Sequence, residues 1–542
     1  MLDDRQKKRL FVFGLVLLSA GLLFMGVFID RTVPHTTNSD MAGELILASQ
    51  LAKEGTLLTK NWYYSTELRV LNTNLIFAPL FYLFRSWHAI RVTGTIILYI
   101  LMILGCWALC RRMKTEWIFP AAALMMIMPF SWEYYSFVLQ FPYYVPHIVI
   151  TLLALALTFR YIDASSTRFV GNIAFAAGAL LSFASGLGGA RQVVICYLPL
   201  FLSASITFLR TLAKPRDDDG IDTRLYTRLF LMAAICLIAV LSGYFVNSRV
   251  LSRYYSFSRF DINFTNFQID RFFAVLSGFL ISFGYGSGPV DLLLLMKNAV
   301  SAFLFLLSLY CAVRGVRKSA GKDDLYFILS LFYLISLACF VLLFSFTDMF
   351  YEVRYNLPVI IIAAPVIGAG LNSMTEFSPL WRRAMLLLWV SVILVSGVGR
   401  AVVKELPKTD SDAERLVDFL DANDYTYGYA TFWNANVLTE LSDGRIEVHS
   451  WAHDYTPAVG DVNRPYRWLQ LKKHDEIPTG KLFLLFSNYQ IEPAYYSVDE
   501  NGSCMWNLND ERIVFRSETH TIYAYDSYQE MIDEIYEKVD GG

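Results

Sequence analysis

Apolar segments of about 20 residues recur through the first 400 residues of this 542-residue chain. An α-helix needs roughly that length to cross a hydrocarbon core about 30 Å thick. Only 17% of the residues are charged and the mean hydropathy is +0.41, whereas soluble domains carry about 25% charged residues. This composition excludes a disordered chain and a small disulfide scaffold. The pattern predicts eleven membrane-spanning helices, over 10–29, 90–109, 117–130, 147–162, 169–185, 193–209, 229–246, 290–313, 325–346, 355–373 and 384–400.

Charge divides the chain into two parts. Residues 1–400 hold 34 Lys and Arg against 22 Asp and Glu, a balance of +12, whereas residues 401–542 hold 12 against 26, a balance of −14. We therefore predict a membrane domain over 1–400 followed by a water-facing domain over 401–542. The acidic balance of the second part argues against a nucleic-acid partner.

Alternating strand and helix patterns in the second part favour a small α/β domain. The predicted strands cover 427–432, 445–450, 481–486 and 512–517, and the predicted helices cover 413–422, 435–441 and 528–538.

Basic residues in the short connections predict the orientation. Six alternate segments, counting the N-terminal one, carry 20 Lys and Arg, whereas the intervening segment 131–146 has none. Cytoplasmic loops hold the excess of Lys and Arg, so the N-terminus is expected in the cytosol. Eleven spans then place residues 401–542 outside, in a multi-pass protein of the cytoplasmic membrane.

Three outside segments, 30–89, 131–146 and 247–289, are too long to be plain turns. Long loops in a membrane protein usually carry function. The second and third are crowded with aromatic residues, among them Tyr144. Such rings stack on sugars, but they also form the ordinary aromatic belt at the membrane interface. The sequence leaves both roles open.

The first long segment contains the best candidates for chemistry. Asp40 precedes a helical pattern over 41–53, with Glu44 one turn later, and Asp30 stands at the end of the first span. An acidic residue beside the bilayer is a functional candidate. The alternative is that Asp40 only caps the helix.

An ordered set of motifs resembles a known family. The first span is followed by SDMAGELILASQLAKEG (39–55), then NTNLIFAPLFYLF (72–84), then a span that ends in ALCRRMK (108–114). This order resembles the GT-C glycosyltransferases, and most closely the protein O-mannosyltransferase and aminoarabinose-transferase group. That group has an Asp-Glu pair opening a helix at the membrane surface, a Pro-Pro-Leu-Tyr-like segment and a late Arg-Tyr-x-x-Pro. Here Asp40 takes the Asp place, Met41 replaces the Glu, and FYEVRYNLP (350–358) resembles the late motif.

The resemblance implies a GT-C-like helical membrane fold and an enzyme. Such an enzyme would transfer a sugar, with inversion, from a polyprenyl-phosphate-linked donor to a glycan, lipid or protein acceptor. Donor and acceptor would meet at membrane lipids on the outer face, where nucleotide sugars are absent. The reaction needs a carboxylate as general base, for which Asp40 is the first candidate and Asp30 and Glu44 are alternatives.

The departing phosphate needs positive charge, and the sugar needs polar and aromatic contacts. The candidates on the outside are Arg191, Arg354, Arg253, Arg259, Glu67 and Tyr144. A structural alternative exists for two of the arginines, because Glu352 stands near Arg354 and Asp261 near Arg259. No metal-ligand spacing is present, no cofactor is certain, and assistance by a divalent cation stays open.

Two other classes of function remain open. One is a lipid-linked polysaccharide polymerase or ligase, whose basic residues would concentrate in one large late outside loop. The other is a non-enzymatic envelope transporter or assembly protein. A transporter would need ionisable groups inside the spans, which contain almost none, and an assembly protein would not need three long outside loops.

The topology is testable with fusions. We expect a reporter fused after Lys404 to be exported and one fused at Asp218 to stay cytosolic, because Lys and Arg concentrate in the segments expected inside. Alkaline phosphatase activity and fluorescence of a cytosolic reporter measure the two locations. The reverse pattern would put the acidic first loop on the cytosolic side.

Overall fold

The computed structural model describes residues 3–68, 70–163, 167–212, 223–258, 262–289, 291–318, 324–403, 411–452, 466–488 and 510–540. Within these ranges, ten helical segments are long and apolar enough to cross a membrane. They are Asp4–Thr36, Trp87–Arg112, Pro142–Ile162, Arg168–Gly186, Val193–Leu212, Thr223–Arg253, Leu294–Arg317, Asp324–Ser345, Val353–Ser373 and Pro379–Gly399. Each overlaps one of the predicted spans.

The α-helices up to residue 403 are α1 (Asp4–Thr36), α2 (Ser39–Glu54), α3 (Asn74–Leu80), α4 (Trp87–Arg112), α5 (Phe119–Ile127), α6 (Trp132–Tyr134), α7 (Val145–Ile162), α8 (Arg168–Gly186), α9 (Leu198–Leu212), α10 (Thr223–Arg249), α11 (Ile269–Ser282), α12 (Leu292–Lys318), α13 (Asp324–Ser345), α14 (Leu357–Ile360), α15 (Ala363–Ser373) and α16 (Pro379–Val403). The later helices are α17 (Asp412–Ala422), α18 (Phe432–Leu441) and α19 (Tyr528–Asp540).

The prediction of a continuous span over 117–130 is wrong. Helix α5 has only nine residues, Phe119–Ile127, and its C-cap Met128 is already extended, with φ −98° and ψ 138°. Pro129 is the cause, because a proline disfavours the helical conformation in the residue before it. The helix therefore ends well short of the roughly 20 residues that a crossing requires.

The broken segment nevertheless runs alongside α1 from Gly14 to the C-terminal end of that helix. Pro120 packs on Gly14 near one end of α1, and the Tyr135 hydroxyl lies 3.0 Å from Thr32 Oγ1 near the other. Gln140 then bonds to Thr36, the last residue of α1. At about 1.5 Å per residue, the contacted part of α1 is roughly 33 Å long, about the thickness of a bilayer core. The segment thus travels the distance of a crossing without a continuous helix.

Glycines bring α8 and α10 into backbone contact. A Cβ on Gly186 would collide with the carbonyl oxygen of Val240, and a Cβ on Gly243 with that of Phe183. Small residues allow this close approach between membrane helices, whose packing depends on contact rather than on exclusion of water. The contact sets the relative positions of the turn after α8 and the end of α10.

A second unit of structure lies after residue 411. Its strands are β2 (Tyr427–Thr431), β3 (Glu447–Ala452), β5 (Leu482–Ser487), β6 (Ile513–Arg516) and β7 (His520–Tyr525). The sheet order is β3-β2-β5-β7-β6, in which β2 is parallel to β3 and β5, and β7 is antiparallel to β5 and β6. A separate two-stranded sheet pairs β1 (Trp62–Tyr63) with β4 (Gln470–Leu471).

Both faces of the five-stranded sheet are covered. Leu482, Leu484 and Phe486 of β5 pack in a cluster with α19, whereas Phe483 and Leu485 pack in a cluster with α17 and α18. Successive residues of a strand point to opposite faces, so β5, buried at every position, is an unbroken apolar run in the sequence. The predicted α/β fold class of this part is confirmed.

Strand β7 is absent from the sequence prediction. The connection between β6 and β7 contains Ser517, Glu518 and Thr519, with none of the Gly, Asn, Asp or Pro residues that mark a hairpin turn. The four strands that were predicted match β2, β3, β5 and β6 within two residues.

A buried ion pair joins the two parts of the chain. Arg91 of α4 donates from Nε to Glu440 Oε1 at 2.8 Å and from Nη2 to Oε2 at 2.6 Å, and the side chains are 0% and 3% exposed. Arg91 Nη2 also donates to the Met41 carbonyl oxygen at 2.8 Å. One guanidinium therefore ties α4, α18 and the first turn of α2 together.

Hydrogen bonds reinforce the same junction. Ser39 Oγ donates to the Phe432 carbonyl oxygen, and Asn436 Nδ2 donates to the carbonyl oxygens of Ser39 at 3.3 Å and Leu469 at 3.1 Å. The start of α2 is thus held from the side by α18.

We expect Arg91→Ala to destabilise the protein by about 3–5 kcal/mol, because it leaves the Glu440 carboxylate buried without its partner. Thermal unfolding of the full chain in detergent measures the loss. The matched control is Arg445→Ala, because Arg445 is 55% exposed and its pair with Asp421 is worth no more than about 1 kcal/mol. Equal losses in the two variants would contradict a structural role for the buried pair.

Candidate active site

A cavity of about 1110 Å³ lies where the three long segments meet. The first contributes residues of α2 together with Tyr64, Ser65, Thr66, Glu67, Asn72 and Asn74. The second contributes Phe137, Phe141, Tyr143 and Tyr144, and the third contributes Asn247, Ser248, Arg249, Phe257 and Ile262. The turn after α8, the ends of α10 and α13, residues 348–355 and Trp468 and Leu469 complete the wall. This volume suits a ligand of substrate size.

Asp40 lines the cavity as the second residue of α2 and is partly buried. The cap of this helix is Asn38, whose side chain accepts a hydrogen bond from the Met41 amide at 3.0 Å. Asp40 is therefore not the N-cap, and capping does not account for its carboxylate. Its place in the first turn also suits negative charge, because the helix dipole is positive there.

Glu44 lies one turn further along the same wall. It is buried, with 8% exposure, and its Oε2 accepts a hydrogen bond from Thr73 Oγ1 at 2.6 Å. This bond links α2 to the segment that begins α3.

Asp30 does not line the cavity, which corrects its placement at the end of the first span. Helix α1 continues to Thr36, and Asp30 lies on its exposed side, where Oδ1 is 2.9 Å from His88 Nε2. The apolar run ends before the helix does, because the last two turns carry the polar residues Asp30, Arg31, Thr32, His35 and Thr36.

Arg191 follows α8 and points into the cavity among aromatic rings. Its Nε is 3.5 Å from Glu67 Oε1, and its guanidinium carbon lies 5.5 Å from the ring centres of both Tyr143 and Tyr144. Burial opposes the charge, but Glu67 and the tyrosines raise the pKa of Arg191 well above its ordinary value. Arg191 Nη1 is buried and has no hydrogen-bond acceptor among the described residues.

Asn247 holds the loops that carry Glu67 and Arg191. Its Nδ2 donates to the carbonyl oxygens of Leu68 at 2.9 Å and Leu187 at 2.6 Å. Gly189, with φ +107°, supplies the turn that an L side chain would strain. The Asn247 hydrogen bonds and the turn at Gly189 thus help to position Arg191.

Arg354 lines the same cavity from a 3₁₀ turn, Val353–Asn356. Its Nε is 2.5 Å from Glu352 Oε2, and its guanidinium carbon lies 5.0 Å from the ring centre of Phe137. Asp40 is close enough to interact with it electrostatically. Arg354 therefore pairs with Glu352, as the structural alternative predicts, and it also lines the cavity.

The remaining arginine candidates have other positions. Arg253 lies in the 3₁₀ turn Leu251–Arg253, is exposed and is not on the cavity wall. Arg259 lies outside the described residues. Arg249, which the sequence pattern did not single out, lines the cavity at the end of α10. The available signal was its position three residues after the predicted span 229–246.

The cavity wall changes from charged to apolar along two helices. On α10 it passes from Arg249 to Phe245 and Leu241, eight residues or roughly 12 Å away. On α13 it includes Phe340 and Phe344. Phe245 is 62% exposed and Leu241 45%, as suits helix faces in contact with lipid chains.

Acidic residues at the rim do not form a metal site within the described chain. Asp348 accepts hydrogen bonds from the Asn263 amide at 2.9 Å and Asn263 Nδ2 at 2.8 Å, which lower the pKa of its carboxyl group. The group of His and Glu side chains that the described residues bring together, Glu447, His449 and His474, is not on the cavity wall.

Comparisons with known proteins identify the fold. No protein-family model matches the sequence, and no curated protein matches it. The structure of ArnT from Cupriavidus metallidurans in the apo state matches with a TM-score of 0.59 and 13% identity, over 94% of this chain and 97% of that chain. The same protein bound to undecaprenyl phosphate matches with a TM-score of 0.55 and 14% identity, over the same shares.

A likeness at this level of identity concerns the fold, and it extends over nearly the whole of both chains. It includes the membrane helices and the C-terminal sheet. The chain therefore has the fold of the GT-C glycosyltransferases, to which ArnT belongs, as the motifs of the first 110 residues and the late Arg-Tyr-x-x-Pro-like segment predict.

Proposed function

We propose that this protein is a glycosyltransferase that moves a sugar from a polyprenyl-phosphate-linked donor to an acceptor hydroxyl on the outer face of the cytoplasmic membrane. The observation that carries the proposal is the composition of the cavity. It combines a carboxylate at a helix start, three arginines and an apolar flank within the fold of a glycosyltransferase.

Arg191 and Arg354 are the proposed phosphate ligands. Arg191 has a buried N–H without an acceptor among the described residues, and an anionic oxygen would satisfy it. Leaving such a donor unpaired costs about 1–3 kcal/mol or more. Arg354 donates to Glu352 from Nε and Nη2, which leaves Nη1 as its group for a phosphate oxygen. Charge-assisted hydrogen bonds of this kind stabilise a departing phosphate.

The apolar flank is the proposed path of the polyprenyl chain. Leu241 and Phe245 of α10 and Phe340 of α13 line the same cavity as the arginines. A ligand with an anionic head and a long apolar tail fits this division. ArnT, which shares the fold, has been solved with undecaprenyl phosphate, and that finding supports the assignment of the ligand class.

Asp40 is the proposed general base. Its carboxylate would take the proton of the acceptor hydroxyl as that oxygen attacks the anomeric carbon of the sugar. The bond from that carbon to the phosphate oxygen breaks, and the phosphate departs with the electron pair between Arg191 and Arg354. Attack opposite to the leaving group inverts the configuration. Glu44, already bonded to Thr73, supports the wall beside Asp40.

The outer-face location rests on the charge pattern of the loops. The segments expected outside carry the cavity, and that side of the membrane has no pool of nucleotide sugars. A lipid-linked sugar is the form of donor that can be supplied there. The acceptor, whether glycan, lipid or protein, would reach the cavity past Trp468 and Leu469, which belong to the C-terminal part of the chain.

We expect Asp40→Asn to fold and bind the donor but to transfer sugar at least about a hundredfold more slowly, because asparagine keeps the size and removes the proton acceptor. Sugar transfer from a polyprenyl-phosphate donor to added acceptors measures the rate. Asp30→Asn is the matched control, since Asp30 carries the same group on α1 outside the cavity.

The difference in transfer rate between Asp40→Asn and Asp30→Asn tests whether Asp40 is the general base. Near wild-type transfer by Asp40→Asn would remove Asp40 as the base. Transfer from a nucleotide sugar without lipid would contradict the donor class, and donor binding without transfer to any acceptor would favour the transporter class.

We expect Arg191→Ala and Arg354→Ala each to weaken binding of polyprenyl phosphate by about 1.5–3 kcal/mol, roughly ten- to a hundredfold in Kd. Acceptor affinity should change less. Binding to the purified chain in nanodiscs provides the measurement, and Arg253→Ala, an exposed arginine outside the cavity wall, is the control. Unchanged donor affinity in both cavity variants would show that Arg191 and Arg354 do not bind the phosphate and have structural roles.

A further inference from the structure

A shallow groove on the surface of the membrane part lies between α1, α5 and α16. It is lined by Phe13 and Leu17 of α1, Pro120 and Leu124 of α5, and Leu386 and Leu387 of α16. Every residue of its lining is apolar, and Phe13 and Leu387 are exposed. An exposed apolar groove of this kind suits a hydrocarbon chain.

The three helices run parallel past this groove. Gly14 of α1 packs on Pro120 near the start of α5. Gly21 of α1 and Gly397 of α16 both pack on Met128, the C-cap of α5. The starts of α1 and α16 therefore lie at the same end of the groove. The charges of the loops predict that this end is cytosolic.

Two arginines of α16 stand one turn before the groove. Arg382 and Arg383 each precede a lining residue, Leu386 or Leu387, by four positions, so each arginine shares a helix face with the lining. A long helical side chain points back toward the start of its helix. The two guanidinium groups are therefore directed toward the expected cytosolic end of the groove, where the phosphates of a lipid leaflet would lie.

Arg382 is a buried cation without an anion. It is 6% exposed, and its Nε and Nη2 atoms are enclosed without a hydrogen-bond acceptor among the described residues. Arg383 Nε is enclosed in the same way. The acidic residue of the preceding connection, Glu376, pairs with Arg314 at 2.5 Å. A buried guanidinium is unfavourable unless an anion accompanies it, so this end of the groove is suited to a negatively charged ligand.

The start of α1 adds positive charge on the other side of the groove. Residues 4–9 hold four basic side chains and one acidic side chain. Lys7 is partly buried and Arg9 is exposed, and they precede the lining residues Leu10 and Phe13 by three and four positions. Cations from two helices therefore flank one end of a groove that is apolar along its length. This division matches a phospholipid, which carries an anionic phosphate at the end of its apolar chains.

We propose that this groove binds one anionic phospholipid of the cytoplasmic leaflet. Oxygens of its phosphate would accept charge-assisted hydrogen bonds from Arg382 and Arg383, and an acyl chain would lie along α5 between α1 and α16. The cytoplasmic leaflet carries anionic lipids, and basic pockets between membrane helices on that side bind their headgroups. A zwitterionic lipid offers the same chains but brings its own cation, which the arginines and Lys7 oppose.

The lipid would fasten a helix that presents much of its surface outward. Leu380, Leu388 and Val395 of α16 are exposed, and α16 is the last of the described helices before the C-terminal part of the chain. Among the described residues, the groove and the candidate active-site cavity have no lining residue in common. The bound lipid is therefore a structural ligand that connects α16 to α1 and α5, independent of the proposed sugar transfer.

Native mass spectrometry of the full chain tests the proposal directly. The protein is freed of co-purified lipid in detergent and titrated with phosphatidylglycerol or with phosphatidylcholine of the same acyl chains. We expect the first phosphatidylglycerol to bind at least about tenfold more tightly than phosphatidylcholine. Arg382→Gln and Arg383→Gln should each weaken that binding about fivefold, because each removes one cation from the headgroup site. Arg168→Gln is the matched control, because Arg168 is exposed and opens α8, a helix that does not line the groove.

Thermal unfolding provides a second measurement, which the wild-type chain alone can decide if a variant folds poorly. Phosphatidylglycerol should raise the Tm by several degrees more than phosphatidylcholine does, whereas glycerol 1-phosphate, which has no acyl chains, should leave it unchanged. Equal effects of the two phospholipids would overturn the proposal, as would Arg382→Gln and Arg383→Gln variants that bind phosphatidylglycerol as tightly as Arg168→Gln. Equal stabilisation by glycerol 1-phosphate would also overturn it, because the apolar groove would then have no role. A dimer that binds no phospholipid would assign the groove to a second copy of the chain instead.

Discussion

The buried pair of Arg91 and Glu440 is the interaction on which the site depends. It connects residues 349 positions apart in the chain, and the same guanidinium holds the Met41 carbonyl oxygen beside Asp40. Two charges taken out of water are tolerated only when each satisfies the other, so α4, α18 and α2 keep one arrangement. The carboxylate proposed as base thus stands on a helix start whose position is set by the membrane part and the sheet-bearing part together.

Around that helix start, the fold separates two kinds of surface. Arginines and acidic groups gather where α2, the turn after α8 and the 3₁₀ turn of Arg354 meet, and apolar side chains continue the wall along α10 and α13. The contact of Gly186 and Gly243 brings the arginine-bearing turn close to the end of α10. A ligand with a charged head and an apolar tail matches this division, which is the basis for proposing a lipid-linked donor rather than a soluble one.

The C-terminal part does more than cover the membrane helices. Its α18 holds α2, its segment after Tyr466 forms part of the cavity wall, and β4 adds to β1. The two parts therefore build one site, although their compositions suit different solvents.

Apolar runs and charge balance determined the membrane spans and the polar C-terminal part, and the motifs singled out Asp40, Arg191 and Arg354 as candidates, because these signals are local in the chain. The broken crossing at Pro129 also has a local cause. Only the tertiary structure decided that Asp30 and Arg253 stand away from the cavity, that Asn38 and not Asp40 caps α2, and that His474 meets Glu447. Those outcomes depend on helix ends, and on ion pairs and strand pairing between residues far apart in the sequence. The energies of such long-range contacts cannot be inferred from a local sequence pattern.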